Sequence, residues 1–191
     1  MKNFSNKDIV EYLRKNFTSV DGLWFVKIEE LLGFEKALEI DKEVWRVLPK
    51  IQARFIKAML EEKFLYIQKA GAFQQNLTIE AGGKQDSQQG LTSFGTEEFF
   101  VEALRIKMRL DNFKFRLLKK PGLVKVIINQ CPWHEIMLKS KREHLSDKIG
   151  SSICITEYAV FASEFLKNSS FKITSQICNS ARACVFEFRT V

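Results

Sequence analysis

The stretch FKFRLLKKPGLVKVIINQ, residues 113–130, decides the fold. Phe113, Phe115 and Leu117 alternate with Lys114 and Arg116, which is the period of two of a half-buried strand. Pro121-Gly122 supplies a turn, and Leu123 to Gln130 returns as a second strand. The hairpin hands the chain directly to Cys131-Pro132, where proline suits the first position of a helix running to about Leu145. Cys154, Tyr158, Phe161 and Phe165 then recur at helical spacing between Gly150 and Lys167. Phe171 to Cys178 and Cys184 to Thr190 read as a closing hairpin around Asn179-Ser180-Ala181-Arg182-Ala183. The C-terminal half is therefore strand, strand, helix, helix, strand, strand. The fold class is α+β: an antiparallel sheet of two hairpins with helices packed on it, preceded by a helical region.

Upstream the period is helical. Phe4-Ser5-Asn6-Lys7-Asp8-Ile9 carries a helix start, with Ser5 as cap, Asp8 at the third position and Phe4 and Ile9 as a hydrophobic staple. Asp21 is read as the cap of a second helix with Trp24, Ile28, Leu31 and Leu32 on its apolar stripe, stopped at Gly33. A short turn follows over Phe34 to Glu39. Asp41 opens the longest pattern, through Val44, Leu48, Ile51, Phe55, Ala58 and Met59, which Pro49 kinks or divides. Between Gly71 and Gly95 the periodicity fails; five Gly and five Gln mark a flexible loop. Thr96, Glu97 and Glu98 restart a helix whose buried side is Phe99, Phe100, Ala103, Leu104 and Met108. The organisation expected is a helical region over 1–70, a loop over 71–95 and an α+β small-molecule-binding domain over 96–191.

Composition narrows the class. Seventeen Phe in 191 residues and 46% hydrophobic content describe a chain able to bury a full core. No apolar run approaches the ~18 residues of a transmembrane helix, and the N-terminus lacks a signal-peptide pattern. The expected location is cytoplasmic, with no membrane partner. The net charge of +7 is concentrated in residues 105–125, where eight basic side chains stand against Asp111. Without a nucleic-acid motif or stacking aromatics, that ribbon reads as a solvated helix face and a lysine-protected sheet edge, so a nucleic-acid partner is not expected. Composition leaves self-association as a homo-oligomer open.

The chemistry-bearing residues cluster in the last third. All four cysteines lie there: Cys131 in Cys131-Pro132-Trp133-His134, then Cys154, Cys178 and Cys184. Cys131 stands at a helix N-terminus, where backbone N–H groups favour a thiolate, and His134 lies one turn on; these two and Glu157 are the candidate catalytic groups. His134 has a plain alternative as a surface residue beside Trp133, Cys154 as core filler on the Tyr158 and Phe161 stripe, and Glu157 as a solvated carboxylate. Trp133, Cys154, Tyr158 and Arg182 are candidate ligand-binding residues. Cys131, His134, Cys154, Cys178 and Cys184 form a candidate metal set, for which zinc is the usual ion, although no tight C-x-x-C pair is present.

Three segments carry a resemblance. INQCPWHEIMLKSKREHL, SSICITEYAVFASEF and ITSQICNSARACVFEF resemble the C-terminal signature of the L-2-amino-thiazoline-4-carboxylic acid hydrolase-like proteins and, more distantly, the 4-vinyl reductase-type small-molecule-binding domains. DGLWFVKIEELLGFEKALEIDKEVWRVLPKIQAR is similar to an uncharacterised bacterial and archaeal family joining a helical module to that signature. The resemblance implies a pocket between sheet and helices that binds a small molecule as sensor or carrier. It equally implies a hydrolase opening a C–N bond of a small cyclic amidine-like substrate. A protein-interaction module is the third reading.

Overall fold

The computed structural model describes residues 4–80 and 95–190, with 67–80 as backbone alone. Six helices and four strands follow one another as α1 (Asn6–Leu32), α2 (Phe34–Trp45), α3 (Leu48–Glu80), α4 (Thr96–Leu110), β1 (Lys114–Lys120), β2 (Leu123–Gln130), α5 (Pro132–Lys139), α6 (Ser146–Ser163), β3 (Ser169–Ser175) and β4 (Cys184–Thr190). One-turn 3₁₀ segments at Glu143–Leu145 and Ile177–Asn179 precede α6 and follow β3. The α+β class and the order of the C-terminal half are as the sequence implies.

The four strands form one antiparallel sheet in the order β1-β2-β4-β3. The two hairpins meet along β2 and β4, where Val126 lies opposite Phe186 and Val124 opposite Phe188. Alternation settles which face is buried: Val124, Val126, Ile128, Cys184, Phe186 and Phe188 turn inward, while Lys125, Glu187 and Arg189 lie on the other face. Helices α3, α4 and α6 cover the inner face and complete one core with Ala53, Ile56, Leu60, Phe100, Leu104, Met108, Tyr158 and Phe161. Its aromatic centre is tight. Phe171 stacks on Phe188 at 4.7 Å between ring centroids, and Tyr158 sits 4.7 Å from Phe186. Because Ala53, Ile56 and Leu60 belong to this core, the helical region packs as part of the same body as the sheet.

Several expectations change, among them the helix expected from Pro132 to about Leu145, which ends as α5 at Lys139. The Ser5 and Asp8 capping box forms as read. Yet α1 continues through Asp21 and Gly22, so Asp21 is not a cap and stands in mid-helix. Its stop at Gly33 holds, where φ is +83° and the amide donates to Glu29 O at 2.8 Å. Phe34–Glu39 is the first part of α2 and not a turn, which places Asp41 inside that helix. Pro49 does divide the pattern, because α3 starts afresh at Leu48 and proline at a first turn has no amide to lose. Helix α3 then runs to Glu80, beyond Gly71 where the loop is expected to begin; the rest of that expected loop, 81–94, lies outside the described residues.

The apolar stripe of α3 is also displaced. Ala53, Ile56 and Leu60 are buried, whereas Ile51, Phe55 and Met59 are 59%, 65% and 45% exposed. Helix α1 has no fully buried residue, and Leu13, Trp24 and Leu31 face outward. Among the described residues, no helix is long and apolar enough to cross a membrane.

Half of the basic ribbon, Arg105, Lys107, Lys119 and Lys125, is held in ion pairs. Lys119 pairs with Glu98, Lys125 with Glu187 at 2.8 Å and Arg105 with Glu102 at 3.2 Å. Lys107 is not on the surface at all: it is 2% exposed, inside the core.

Candidate functional site

Where α1, α2, α5 and α6 converge over the Cys178 and Cys184 end of the sheet, they line an open cavity of about 540 Å³. Its walls are mainly aliphatic and aromatic, with Phe25, Val26, Met137, Ile149, Ile153 and Ile177 among them. Trp133, delivered by α5, reaches between the two N-terminal helices: its ring lies edge-on to Phe17 of α1 at 6.3 Å and to Trp45 of α2 at 6.2 Å. Pro132 at the first turn of α5 fixes this placement, since the preceding Cys131 is still extended at φ −109°.

All four cysteines, His134 and Glu157 line this one cavity. The grouping read from the sequence is therefore a grouping in space. Its chemistry differs from the expectation. The four cysteines are unbridged. Burial pushes the Cys131 thiol up to about 12, the neighbouring Cys184 and Cys178 adding to the effect while the His134 and Trp133 amides act against it. Burial likewise carries Cys178 to about 11 and holds Cys154 and Cys184 above the ordinary thiol value. At neutral pH Cys131 is thus a thiol, and desolvation outweighs the helix N-terminus expected to make it a thiolate. Cys184 Sγ accepts the Ile177 amide at 3.2 Å. Gly150 has no Cβ because one would collide with Cys178 Sγ, so glycine lets α6 come down on that thiol. Among the described residues no three His, Cys, Asp or Glu side chains are placed to hold a metal ion. The zinc set of Cys131, His134, Cys154, Cys178 and Cys184 lines a wall but does not converge on a centre.

Glu157 is neither a free base nor a solvated carboxylate. It is buried at 4% exposure and its Oε1 lies 2.7 Å from Lys107 Nζ, which also meets Asp111 at 2.8 Å and Gln52 Oε1 at 2.9 Å. The Lys107 ammonium stands over the Tyr158 and Phe161 rings at 5.7 Å from each centroid. Burial works to lower the Lys107 pKa, but the charges of Glu157 and Asp111 and their hydrogen bonds hold it above the ordinary lysine value. Burial raises Glu157, with Asp111 and Asp21 contributing, against the pull of Lys107.

Two further carboxylates line the cavity, and the sequence reading did not assign them to it. Asp21 of α1 is raised by burial. Asp41 of α2 is pushed up to about 7 by burial first, then by the charge of Asp21 and, more weakly, of Glu157; a hydrogen bond with the Trp45 side chain acts the other way. The signal was there. Phe17, Asp21 and Phe25, then Ala37, Asp41 and Trp45, then Ile153, Glu157 and Phe161 each place one carboxylate in the middle of an apolar stripe of spacing four.

The remaining candidates fall elsewhere. Tyr158 is buried in the core, its hydroxyl 3.7 Å from Met108 Sδ, and it does not line the cavity. Arg182 is exposed in the turn before β4 and likewise lies outside it. His134 does line it, and its Nδ1 is a buried nitrogen without a hydrogen-bond partner. The guanidinium in the lining is Arg142, which is paired with Glu29 of α1.

Residues 2–79 match the model of DUF6125, a family of unknown function. That segment contains α1 and α2, hence Asp21, Asp41 and Trp45 of the cavity wall. No curated protein and no solved structure matches the chain.

Proposed function

We propose that this protein binds a small organic molecule in the cavity between α1, α2, α5 and α6, serving as a cytoplasmic carrier or sensor. One observation carries the reading. A largely apolar cavity of about 540 Å³, a size that suits a small ligand, is lined by Cys131, Trp133, His134, Cys154, Glu157, Cys178 and Cys184 together. The resemblance to small-molecule-binding domains points the same way.

Binding stands ahead of hydrolysis for physical reasons. Cys131 carries its proton at neutral pH, and Glu157 is committed to Lys107. A thiazoline carboxylate would also bring its own negative charge against Asp21 and Asp41, while Arg142 is taken by Glu29.

The test is titration with a neutral naphthyl fluorophore, comparing the wild-type chain with Met137→Trp, which fills the cavity from one wall. Wild type is expected to give a saturable, one-to-one rise in emission that Met137→Trp loses while keeping its circular dichroism. An equal signal from both proteins would place the probe on the exposed apolar helices and reject the cavity as the site.

A further inference from the structure

Acidic side chains outnumber basic ones in the lining of the cavity. Asp21, Asp41 and Glu157 line it on the negative side and Arg142 on the positive side. Glu157 has Lys107, and Arg142 has Glu29. Asp21 and Asp41 have no ion pair among the described residues; Asp41 has the Trp45 side chain as its hydrogen-bond partner. Two half-buried carboxyls on neighbouring helices, without a cation among the described residues, are an expense that a protein ordinarily reduces by pairing or by substitution. A second, independent feature lies in the same wall: His134 Nδ1 is buried and unpartnered. The surroundings are apolar and aromatic, with Trp45 and Trp133 edge to face. Among the described residues, no three His, Cys, Asp or Glu side chains are placed together for a metal ion. The missing charge therefore belongs to something larger and mostly apolar, able to fill the aliphatic part of the cavity as well.

We infer that the cavity takes a small aromatic or aliphatic amine, its ammonium directed to Asp21 and Asp41 and its body lying against Trp45, Trp133 and the aliphatic wall. This inference rests on the ligand-binding reading above and adds the chemistry of the occupant. An ammonium supplies N–H donors to both carboxyls and a cation beside two indoles, each interaction strengthened by exclusion of water. A ligand carboxylate would meet the opposite conditions. The amine also explains the division of labour between the acids: Lys107 satisfies the one set into the sheet-side core, and the two at the helical side are left for the ligand.

Calorimetric titration of the full chain with three indoles of matched shape tests this: tryptamine, its uncharged ethyl counterpart and indole propionate. Tryptamine is expected to bind roughly tenfold tighter than the ethyl compound, and the propionate more weakly than either. In the Asp21→Asn, Asp41→Asn double variant the ethyl compound should bind as in wild type, which shows the cavity intact, and the advantage of the amine should disappear. Propionate binding as well as tryptamine, or an unchanged amine preference in the double variant, would overturn the amine. Binding of all three with equal affinity, abolished by Met137→Trp, would overturn the amine and leave the cavity as a site. Failure of all three to bind would count against both readings.

Discussion

Two acid sites lie on either side of Glu157 and are treated in opposite ways. On the sheet side, Lys107 bridges Glu157 and Asp111 with nitrogen-to-oxygen distances below 3 Å, donates to Gln52 Oε1 as well and is roofed by two aromatic rings. On the helical side, Asp21 and Asp41 line the cavity and act on each other by charge, with no ion pair among the described residues. Glu157 and Lys107 are buried and paired, whereas Asp21 and Asp41 are half-buried and without an ion pair among the described residues. The contrast teaches that burial of a carboxylate is not itself a sign of function; an unmatched charge beside empty volume is the more telling observation.

The sharpest way to break the contrast is to remove the compensation. Lys107→Met strands Glu157 and Asp111 in the core and is expected to cost about 3–5 kcal/mol, measured by urea denaturation. Adding Glu157→Leu should recover part of that loss.

The opposite sign is expected at the other site. Asp41 is about 7 in the folded protein against 3.8 unfolded, so between these values the folded state holds a proton that the unfolded chain has released. Its contribution to stability therefore falls as pH rises from about 4 to about 7. Asp41→Asn should remove that fall, stabilising the protein at neutral pH by on the order of 1–2 kcal/mol after allowing for water reaching the cavity, with little difference near pH 4. Asp21, Trp45 and Glu157 act on Asp41 directly, and the other titratable or charged groups lining the same cavity are Cys131, His134, Arg142, Cys154, Cys178 and Cys184, with Lys107 behind Glu157. Denaturation midpoints across that pH range check both the sign and the window. Asp21→Asn should have a smaller effect, less than about 1 kcal/mol, and should shift the Asp41 window toward acid by removing its nearest repulsion. Arg182→Ala, outside both sites, should stay within about 0.5 kcal/mol and leave ligand titrations unchanged.

The legibility of this molecule follows the kind of signal each part emits. The two hairpins and the start of α5 were readable because strand alternation and Pro132 are local rules that tertiary packing did not override. The coming together of Cys131, His134, Cys154, Cys178 and Cys184 was readable as a cluster because chemically distinctive residues crowd the last third of the chain. Their ionisation was not, since it depends on burial. Asp21 misled as a cap because aspartate is common there, whereas in α1 it takes a stripe position one turn from both Phe17 and Phe25. In α3, apolar residues occupy two faces. Periodicity does not say which meets the core, and the small Ala53 with Ile56 and Leu60 faces inward while the larger Phe55 is left outside. Lys107 escaped notice because a lysine in a basic run looks solvated until Glu157 arrives from fifty residues downstream.

Helix α1 gives the cavity Asp21 and Phe25 yet buries no residue completely. Its docking on the rest of the fold therefore rests on partly buried side chains alone. Occupancy and the docking of α1 are two sides of one equilibrium, since a molecule that binds only the docked form stabilises it in proportion to the logarithm of its concentration. If the cavity binds a small molecule as proposed, amide hydrogen exchange in residues 17–28 is expected to slow on binding whatever the compound's charge, which gives a screen that needs no assay of activity.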